Sequence, residues 1–312
     1  MSGRTYSVAF LAGDGIGPEV TAQASRSLAA VSRLHNVRLE ELHVPFDAEA
    51  RVRSGLLLPI ATRTAYLSAD AVLAAAAGAP ALASLAADLD LRAQLTQVRL
   101  ASGADVALLR PLASDTVEWT VERAFALARR RRGRLTFVRL EPEGEALAEE
   151  LVDAWPALER EHMAPAAAIQ QLALAPERFD VVVSGTLYGE ALAEVAAYDR
   201  RSRVAARALL AAQGPSVFMP THGRASSIAG QGVANPSSIL LASSLLLGEG
   251  LGERGAALTL ADAVDSALRD GVRTPDLVRS GVAATTGEFV DDVLGRLQVT
   301  VANAEFARGA WA

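Results

Sequence analysis

Two acidic residues, Glu190 and Glu194, are spaced in a way that could support chemistry. They stand four residues apart in TLYGEALAEVAAY, a segment that predicts a helix, so both carboxylates share one helix face. The helix follows FDVVVSG, which predicts a buried strand, and ligands of α/β proteins bind beyond the carboxyl ends of strands. The pair therefore either points into such a cleft or consists of two solvated surface carboxylates.

A glycine-rich segment, residues 217–236 with the sequence VFMPTHGRASSIAGQGVANP, is the second stretch with binding chemistry. Its small residues expose backbone N–H groups and allow a ligand to approach the main chain closely. The segment also contains His222 and Asn235. The apolar run ILLASSLLLG that follows predicts a helix packed in a core.

A third candidate is GDGIGPEV, residues 13–20, which lies between the predicted buried strand TYSVAFLA and a helix that we expect to extend to about Leu34. Pro18 suits the first helical turn, and the acidic Asp14 and Glu19 suit its positive end. Such a strand–turn–helix corner can hold a phosphate or a cofactor. Its glycine spacing differs from the GxGxxG dinucleotide fingerprint.

The composition limits the classes of function. The 312 residues are 51% hydrophobic, enough for a large core in one large or two medium domains. The net charge of −6 argues against a nucleic-acid partner. The sequence contains no cysteine, which excludes disulfides, zinc thiolates and cysteine nucleophiles. All 30 basic residues are arginine, so no step can use a lysine amine from this chain.

The ends and apolar runs of the sequence predict a cytoplasmic protein without a membrane segment. The N-terminal residues have no charged leader followed by a long apolar stretch, and no apolar run reaches the roughly 20 residues of a membrane span. Predicted strands alternate with predicted helices along the chain, which indicates the α/β class, with room for antiparallel additions to the sheet. VAARALLAAQ, residues 204–213, is rich in alanine and predicts a helix.

Four blocks resemble the isocitrate and 3-isopropylmalate dehydrogenase family of NAD(P)-dependent β-decarboxylating dehydrogenases. They are LAGDGIGPEV, FDVVVSGTLYGEALAEVAAY, PTHGRASSIAGQGVANP and ADAVDSALRDGVRTPDL, and with weaker matches they cover nearly the whole chain. The resemblance implies a mostly parallel sheet sandwiched by helices, in two domains with a cleft between. Residues 1–97 and 200–312 would form the large dinucleotide-type domain, and 98–199 the smaller substrate and dimerisation domain. It also implies a homodimer.

The resemblance implies a small carboxylic acid as the ligand. Three arginines stand where the family binds substrate carboxylates: Arg92, Arg99 and Arg110. Arginine suits this role because its guanidinium pairs bidentately with a carboxylate. The family binds a divalent metal through three aspartates. Two of these positions correspond to Glu190 and Glu194, and the third falls at about Ala166. Two glutamates without a third carboxylate make a poor site for Mg²⁺ or Mn²⁺, because octahedral Mg²⁺ tolerates little displacement of its ligands.

The glycine-rich segment resembles the family's adenosine loop, where the histidine and asparagine contact adenine. The corresponding residues here, with one glycine from the first block, are Gly15, His222, Gly223, Arg224, Ala225, Ser227, Gly230 and Asn235. NAD-specific members carry an aspartate for the ribose hydroxyls where this chain has Ser227. Arg224, three residues earlier, could meet the 2′-phosphate of NADP. The resemblance thus implies NAD or NADP as cofactor, or a loop retained only as scaffold.

Two reacting groups of the family have no counterpart. The lysine that relays a proton is replaced in VRLEP, and the tyrosine expected after Arg110 is missing from PLASDTVEWTVERAF, which leads straight into a predicted helix. We therefore expect a divergent member that binds a small carboxylic acid. Its ordinary metal-dependent oxidative decarboxylation would be impaired, or replaced by elimination, decarboxylation or cyclisation. The alternatives are a non-catalytic protein that binds a ligand or a partner subunit, and an NAD(P)-dependent 2-hydroxy acid dehydrogenase with altered specificity.

Overall fold

The protein is seen in a computed structural model that describes residues 4–100, 105–198, 203–278 and 282–309. The described residues form ten strands and eleven α-helices. The strands are β1 (Thr5–Gly13), β2 (Arg38–His43), β3 (Ala71–Ala76), β4 (Leu91–Leu100), β5 (Asp105–Pro111), β6 (Arg134–Val138), β7 (Glu159–His162), β8 (Val181–Ser184), β9 (Arg203–Ala211) and β10 (Val217–Pro220). The helices are α1 (Gly17–Leu34), α2 (Asp47–Ser54), α3 (Ile60–Ser68), α4 (Ala79–Asp88), α5 (Val117–Arg130), α6 (Pro142–Glu150), α7 (Pro165–Leu174), α8 (Gly189–Ala196), α9 (Ser237–Leu245), α10 (Arg254–Arg269) and α11 (Thr286–Gly309).

The chain divides into two compact units. The first comprises Met1–Leu89 and Gln213–Ala312, and the second Asp90–Ala212. This division keeps β4 intact, whereas the domain boundary predicted after residue 97 falls inside that strand. The boundary predicted after residue 199 lies outside the described residues. The predicted domains, 1–97 with 200–312 and 98–199, stay a prediction.

The first unit is a parallel α/β arrangement. Its strands lie in the order β2, β1, β3, β10, and every pairing among them is parallel. The central strand β3, with the sequence AVLAAA, is buried along its whole length, as strands covered by helices on both faces are. Helices α1, α9, α10 and α11 pack on one another around this core. The predicted apolar helix after the glycine-rich segment is confirmed as α9.

The second unit contains both parallel and antiparallel pairs. Its strands lie in the order β9, β4, β5, β8, β6, β7. Strand β4 runs antiparallel to both β5 and β9, and the β5–β8–β6–β7 pairings are parallel. Helices α7 and α8 cover an apolar cluster that includes Val98, Val106 and Val182. The predicted α/β class, with antiparallel additions, is confirmed for the described residues.

The prediction of a helix over residues 204–213 is wrong, because residues 204–211 lie in β9. Alanine and leucine favour a helix when neighbours are ignored. Here β9 pairs with the full length of β4, from Leu91 to Leu100. From Ala206 onward its residues alternate between buried and half-buried, as a strand requires. This alternation was hidden in the sequence because alanine and leucine occupy both faces. Strands β4 and β7 were also missed.

Charged residues are buried at the amino ends of β5 and β8. Asp180, which is fully buried, accepts from Nε of Arg131 at 2.8 Å and from the backbone N–H of Arg134 at 3.3 Å. Arg131 also binds Asp105, with Nη2 and Oδ1 2.6 Å apart. On the other side of Asp105, Nη1 of Arg99 lies 3.8 Å from Oδ2. The network therefore joins the end of α5 to the start of two strands.

This network also determines the protonation of Asp105. Burial acts to raise the pKa of its carboxyl, but the charges and hydrogen bonds of Arg131, with help from Arg99 and Gln97, outweigh burial and lower the pKa. The folded pKa therefore lies below the ordinary value of 3.8. A lowered carboxylate pKa stabilises the fold above the unfolded pKa, and that stabilisation is lost as pH falls through the folded pKa.

We predict that acid destabilises the protein partly through this carboxylate. In Asp105→Asn the buried arginines lose a partner, so the free energy of unfolding at neutral pH falls by about 3–5 kcal/mol. The decline in stability below roughly pH 5 becomes shallower, because one proton fewer is taken up on unfolding. Urea unfolding followed by circular dichroism across pH measures both quantities. The exposed Asp115→Asn is the control, and an identical pH profile for both variants would contradict the assignment.

No helix among the described residues is long and apolar enough to cross a membrane.

Candidate functional site

Six polar residues come together in the second unit and form what we call the Arg110 cluster. Its members are Gln94, Thr96, Arg110, Glu190, Glu194 and Arg207, connected by the hydrogen bonds and ion pairs described below. They come from the strands β4, β5 and β9 and from helix α8. The cluster thus unites residues that are far apart in the sequence.

Strand register places four of these residues on one face of the sheet. Gln94 lies opposite Arg110, and Thr96 lies opposite Arg207. Directly paired residues of antiparallel strands project to the same face, and residues two apart on β4 do so as well. The polar side chains of Gln94 and Thr96 therefore project to the same side of the sheet as Arg110 and Arg207.

Helix α8 adds the two carboxylates. Glu190 and Glu194 stand one turn apart, so the prediction that they share a helix face is confirmed. The helix begins at Gly189, which packs directly against Arg110. A Cβ at this glycine would lie 2.4 Å from Cβ of Arg110, closer than two carbon atoms can come. Glycine at this position therefore allows the first turn of α8 to approach β5.

Both glutamates are bound by arginines. Oε2 of Glu190 lies 3.1 Å from Nη2 of Arg110, and its Oε1 accepts from Nη2 of Arg207 at 2.9 Å. The same Nη2 atom of Arg207 donates to Oε1 of Glu194 at 2.8 Å. Arg110 also donates to Oε1 of Gln94 at 2.9 Å. The carboxylates are about half exposed, so solvent screens these pairs, and their geometry matters more than their contribution to stability.

The donor set does not fit a divalent metal. A magnesium site needs carboxylate oxygens that are free to coordinate, in near-octahedral geometry. Here the oxygens of Glu190 and Glu194 that face one another are occupied by Arg207. Within the part of the chain that the structure describes, no group of three or more His, Cys, Asp or Glu side chains could hold a metal ion. We derive no step through a metal at this site.

The other two predicted carboxylate-binding arginines pair with aspartates outside the Arg110 cluster. Arg92 donates from Nε and Nη2 to Oδ2 of Asp90, at 3.1 and 2.9 Å. Arg99 pairs across β5 with Asp105, so it projects to the face opposite Arg110 and is buried in the ion network described above. Arg99 follows Gln94 by five positions along β4. Because side chains of a strand alternate between its two faces, this odd spacing puts the two residues on opposite faces.

A further carboxylate, Glu141, lies beyond the carboxyl end of β6, next to the turn that follows β8. Its Oε1 accepts from the backbone N–H of Thr186 at 2.9 Å and from the Thr186 hydroxyl at 2.7 Å. Burial acts to raise the pKa of Glu141, but these hydrogen bonds outweigh it and lower the pKa. Glu141 is therefore ionised at neutral pH. Its other oxygen, Oε2, is buried and has no partner among the described residues.

In the first unit, the two glycine-rich motifs bind one another. The backbone N–H of Ile16 donates to the carbonyl of Arg224 at 2.9 Å. Gly15 has a φ of 59°, and a Cβ there would lie 1.9 Å from that same carbonyl oxygen. Glu19 of α1 accepts from the backbone N–H of Gly230 at 3.0 Å. The GDGIGPEV motif therefore anchors the 222–232 loop at two points, and this contact gives both motifs a structural role.

The predicted cofactor-binding residues lie on an exposed loop. Residues Gly223 to Ser227 are exposed, and side chains added at Gly223 or Gly230 would meet open space. Ala225 adopts a positive φ of 41°, which turns the backbone just before a short 3₁₀ segment. The backbone of this loop is therefore open to solvent and turned at Ala225. A ligand on this loop would meet backbone groups rather than a charged side chain at position 227, which is Ser227.

Other predicted residues of the loop have local partners. Nδ1 of His222 lies 3.1 Å from the carbonyl of Gly223. Oδ1 of Asn235 accepts from the backbone N–H of Ser237 at 2.8 Å, in the first turn of α9. Asn235 thus stabilises the start of this helix, whether or not it also contacts a ligand.

Arg224 is directed toward the strand ends rather than away from them. Its Nη1 lies 3.4 Å from Oδ2 of Asp14. Its Nη2 would lie 2.9 Å from a Cβ placed at Gly78, whose own N–H donates to the buried carboxylate of Asp47. A 2′-phosphate would therefore share Arg224 with an acidic partner.

Sequence reasoning missed three members of the Arg110 cluster and Glu141. Gln94 and Thr96 were detectable, because Arg92, Gln94 and Thr96 place a polar residue at every second position, the period of a strand. Arg207 carried no such signal within an alanine-rich stretch. Only its pairing with Thr96 brings it to the site.

The comparisons with known proteins agree with this architecture. A family model described as isocitrate/isopropylmalate dehydrogenase matches residues 7–121 and 102–293. The chain is 32% identical to a 3-isopropylmalate dehydrogenase of Salinibacter ruber, covering 94% of this chain and 96% of the relative. It is 33% identical to a 3-isopropylmalate dehydrogenase of Parasynechococcus marenigrum, with 93% and 98% covered. Both alignments run over 350 positions, more than the 312 residues of this chain, so those relatives carry segments that it lacks.

Solved structures show the same fold. A β-decarboxylating dehydrogenase of Thermococcus kodakarensis, in its apo form, is 24% identical with a TM-score of 0.85, covering 96% of this chain and 98% of that one. Isocitrate dehydrogenase of Methylococcus capsulatus is 22% identical with a TM-score of 0.80, covering 94% and 99%. The resemblance of the four sequence blocks is thereby confirmed across almost the whole chain, and the chain belongs to the isocitrate/isopropylmalate dehydrogenase family.

Proposed function

We propose that this family member binds a small carboxylic acid at the Arg110 cluster, without performing ordinary metal-dependent oxidative decarboxylation. One observation carries the proposal: the carboxylates of Glu190 and Glu194 are already paired with arginines. The site therefore offers guanidinium donors to an acid, but no free carboxylates to a metal ion. Its chemistry is impaired or replaced by a step that needs no metal.

Arg110 is the best-supported acid ligand. It stands at the carboxyl end of β5, where α/β proteins bind their ligands, and its side chain is 22% exposed. Gln94 and Glu190 hold its Nη2 atom from two sides. A substrate carboxylate would compete with Glu190 for this guanidinium, because both present the same oxygens.

The residues that would move protons in the family's reaction lack counterparts. Only residues 112–116 separate β5 from α5, and none of them is tyrosine. The sequence contains no lysine. Glu141, ionised and hydrogen-bonded to Thr186 in the turn after β8, is a further carboxylate that this unit offers for acid–base chemistry. Loss of a positioned proton donor or acceptor typically costs about 10²–10⁴-fold in rate.

We predict that a di- or tricarboxylic acid binds the wild-type protein and that Arg110→Met weakens this binding. The loss of a charge-assisted hydrogen bond corresponds to about 1.5–3 kcal/mol, or roughly a tenfold to hundredfold weaker affinity. Calorimetric titration with isopropylmalate, isocitrate, malate and tartrate measures it. Arg134→Met, in an exposed pair elsewhere in the second unit, is the control.

Glu190→Gln separates ligand binding from a structural role of Arg110. If the acid competes with Glu190, this variant binds the acid more tightly than the wild type does. If Arg110 serves only to hold Glu190, Glu190→Gln lowers stability and leaves the affinity for every acid unchanged. The second result would contradict the proposal.

A dinucleotide-dependent dehydrogenase of altered specificity is the second candidate. The supporting observation is the 222–232 loop, held open by Ile16 and Glu19 and exposed along its backbone. NAD or NADP, when bound, would supply a hydride acceptor. Gly15, Gly223, Ala225 and Gly230 would shape the main chain around the adenosine, and His222 and Asn235 would border its base.

We predict that Gly15→Ala removes dinucleotide binding if the loop has this role. Its Cβ would collide with the carbonyl of Arg224 and detach the loop. Gly55→Ala is the matched control, since Gly55 has a similarly positive φ of 78° but no neighbour within 4 Å. The control costs about 1–2 kcal/mol of backbone strain and keeps binding. Thermal unfolding with NAD and NADP reports both, and a wild type indifferent to both dinucleotides would exclude this candidate.

The proposal also includes the oligomeric state and location of the protein, a homodimer in the cytoplasm. Apolar side chains at the ends of α7 and α8 are exposed, with Leu174 at 83%, Leu187 at 78% and Tyr198 at 83%. Exposed apolar groups on one unit suit burial against a second copy.

We predict that Leu187→Glu combined with Tyr198→Glu shifts the protein from dimer to monomer, because two charges would enter the apolar contact. Sedimentation velocity measures the change. Leu258→Glu, at an exposed position of the first unit, leaves the dimer intact. A monomeric wild type would overturn this part of the proposal alone.

A further inference from the structure

Arg207 bridges the two glutamates of the Arg110 cluster through a single nitrogen atom. Its Nη2 lies 2.9 Å from Oε1 of Glu190 and 2.8 Å from Oε1 of Glu194. From these contacts we propose that the Arg207 guanidinium occupies the position of a divalent cation and makes the acid site independent of metal. This inference rests on the proposed function, because both concern the Arg110 cluster.

The bridging geometry makes Arg207 and a metal ion mutually exclusive. One nitrogen that carries two N–H bonds can donate one to each carboxylate. A divalent ion between these oxygens would have to approach each of them to about 2.0–2.6 Å, which is the coordination distance of Mg²⁺ or Ca²⁺. An ion placed between these two Oε1 atoms would overlap Nη2, so the ion and the guanidinium exclude one another at that position.

Arg207 is held in place from its own strand. It lies opposite Thr96 in the β4–β9 pairing, and its side chain is 24% exposed. Its Nε is buried and has no hydrogen-bond partner among the described residues, so Nη2 makes the contacts that orient the side chain. Because arginine remains protonated throughout the pH range in which proteins fold, the positive charge between the glutamates is permanent.

The Arg207 guanidinium gives the site a different net charge from the one that a divalent ion would give it. Arg110 and Arg207 together balance Glu190 and Glu194, so these four residues have a formal net charge of zero. A divalent ion in place of Arg207 would leave a charge of +1 and attract anions more strongly. The guanidinium can donate hydrogen bonds to an acid, but it cannot polarise a bound hydroxyl as a Lewis acid does. This restricts the site to binding, or to reactions that do not require a metal alkoxide.

The experiment is a Mn²⁺ titration of the full-length protein, followed by electron paramagnetic resonance of the free ion. The wild type is expected to leave the free Mn²⁺ signal unchanged. Arg207→Met removes the charge, retains much of the side-chain volume and is expected to lower that signal. In the double variant with Glu194→Gln the signal returns to the wild-type level. Arg134→Met also releases a carboxylate, Glu159, but only one, and is expected to bind no ion.

Two results would overturn the inference. One is Mn²⁺ binding by the wild type that disappears in Glu190→Gln. The other is a folded Arg207→Met that binds no more Mn²⁺ than the wild type. Arg207→Gln replaces Arg207→Met if the latter fails to fold, as judged by its thermal unfolding transition. Acid binding is not measured here, so failure of the proposed function at Arg110 and failure of this inference are distinguishable.

Discussion

The antiparallel pairing of β4 with β5 and β9 is the constraint on which the candidate site depends. Its register sets Gln94 opposite Arg110 and Thr96 opposite Arg207. A shift of one residue would turn Arg207 to the other face of the sheet. The same register sends Arg99 to that other face, where it joins the buried ion network with Asp105. The register of β4 with its two neighbours thus directs Arg99 into a structural network and brings Arg110 and Arg207 together at an open polar site.

The charges of the second unit are arranged differently at its two ends. At the amino ends of β5 and β8, Asp180 is fully buried and satisfied by two donors, so this network specifies structure. Toward the carboxyl end of β5, the arginine and glutamate side chains of the Arg110 cluster are partly exposed. Partial exposure lets a ligand exchange with an existing ion pair at modest cost. Under the proposed function, an acid would displace Glu190 from Arg110 without unfolding its surroundings.

The first unit shows how a binding loop can be retained independently of the reacting groups. Its 222–232 loop is anchored through backbone contacts to Ile16 and through Glu19 to Gly230. These contacts lie within one unit and do not involve the Arg110 cluster. The loop can therefore keep its shape while residues of the other unit change. The motifs of this loop can therefore identify the family without reference to the residues of the other unit.

The sequence by itself determined the family, the α/β class and the loop, because these depend on contiguous motifs such as GDGIGPEV and PTHGRASSIAGQGVANP. It also placed Glu190 and Glu194 on one helix face, since helical spacing is local. Only the tertiary structure decided that 204–211 is a strand, that Arg99 faces away from Arg110, and that Arg207 lies between the glutamates. These outcomes depend on pairings between distant strands. In an alanine-rich segment, local propensity favours a helix, and the hydrogen bonds of a neighbouring strand override it.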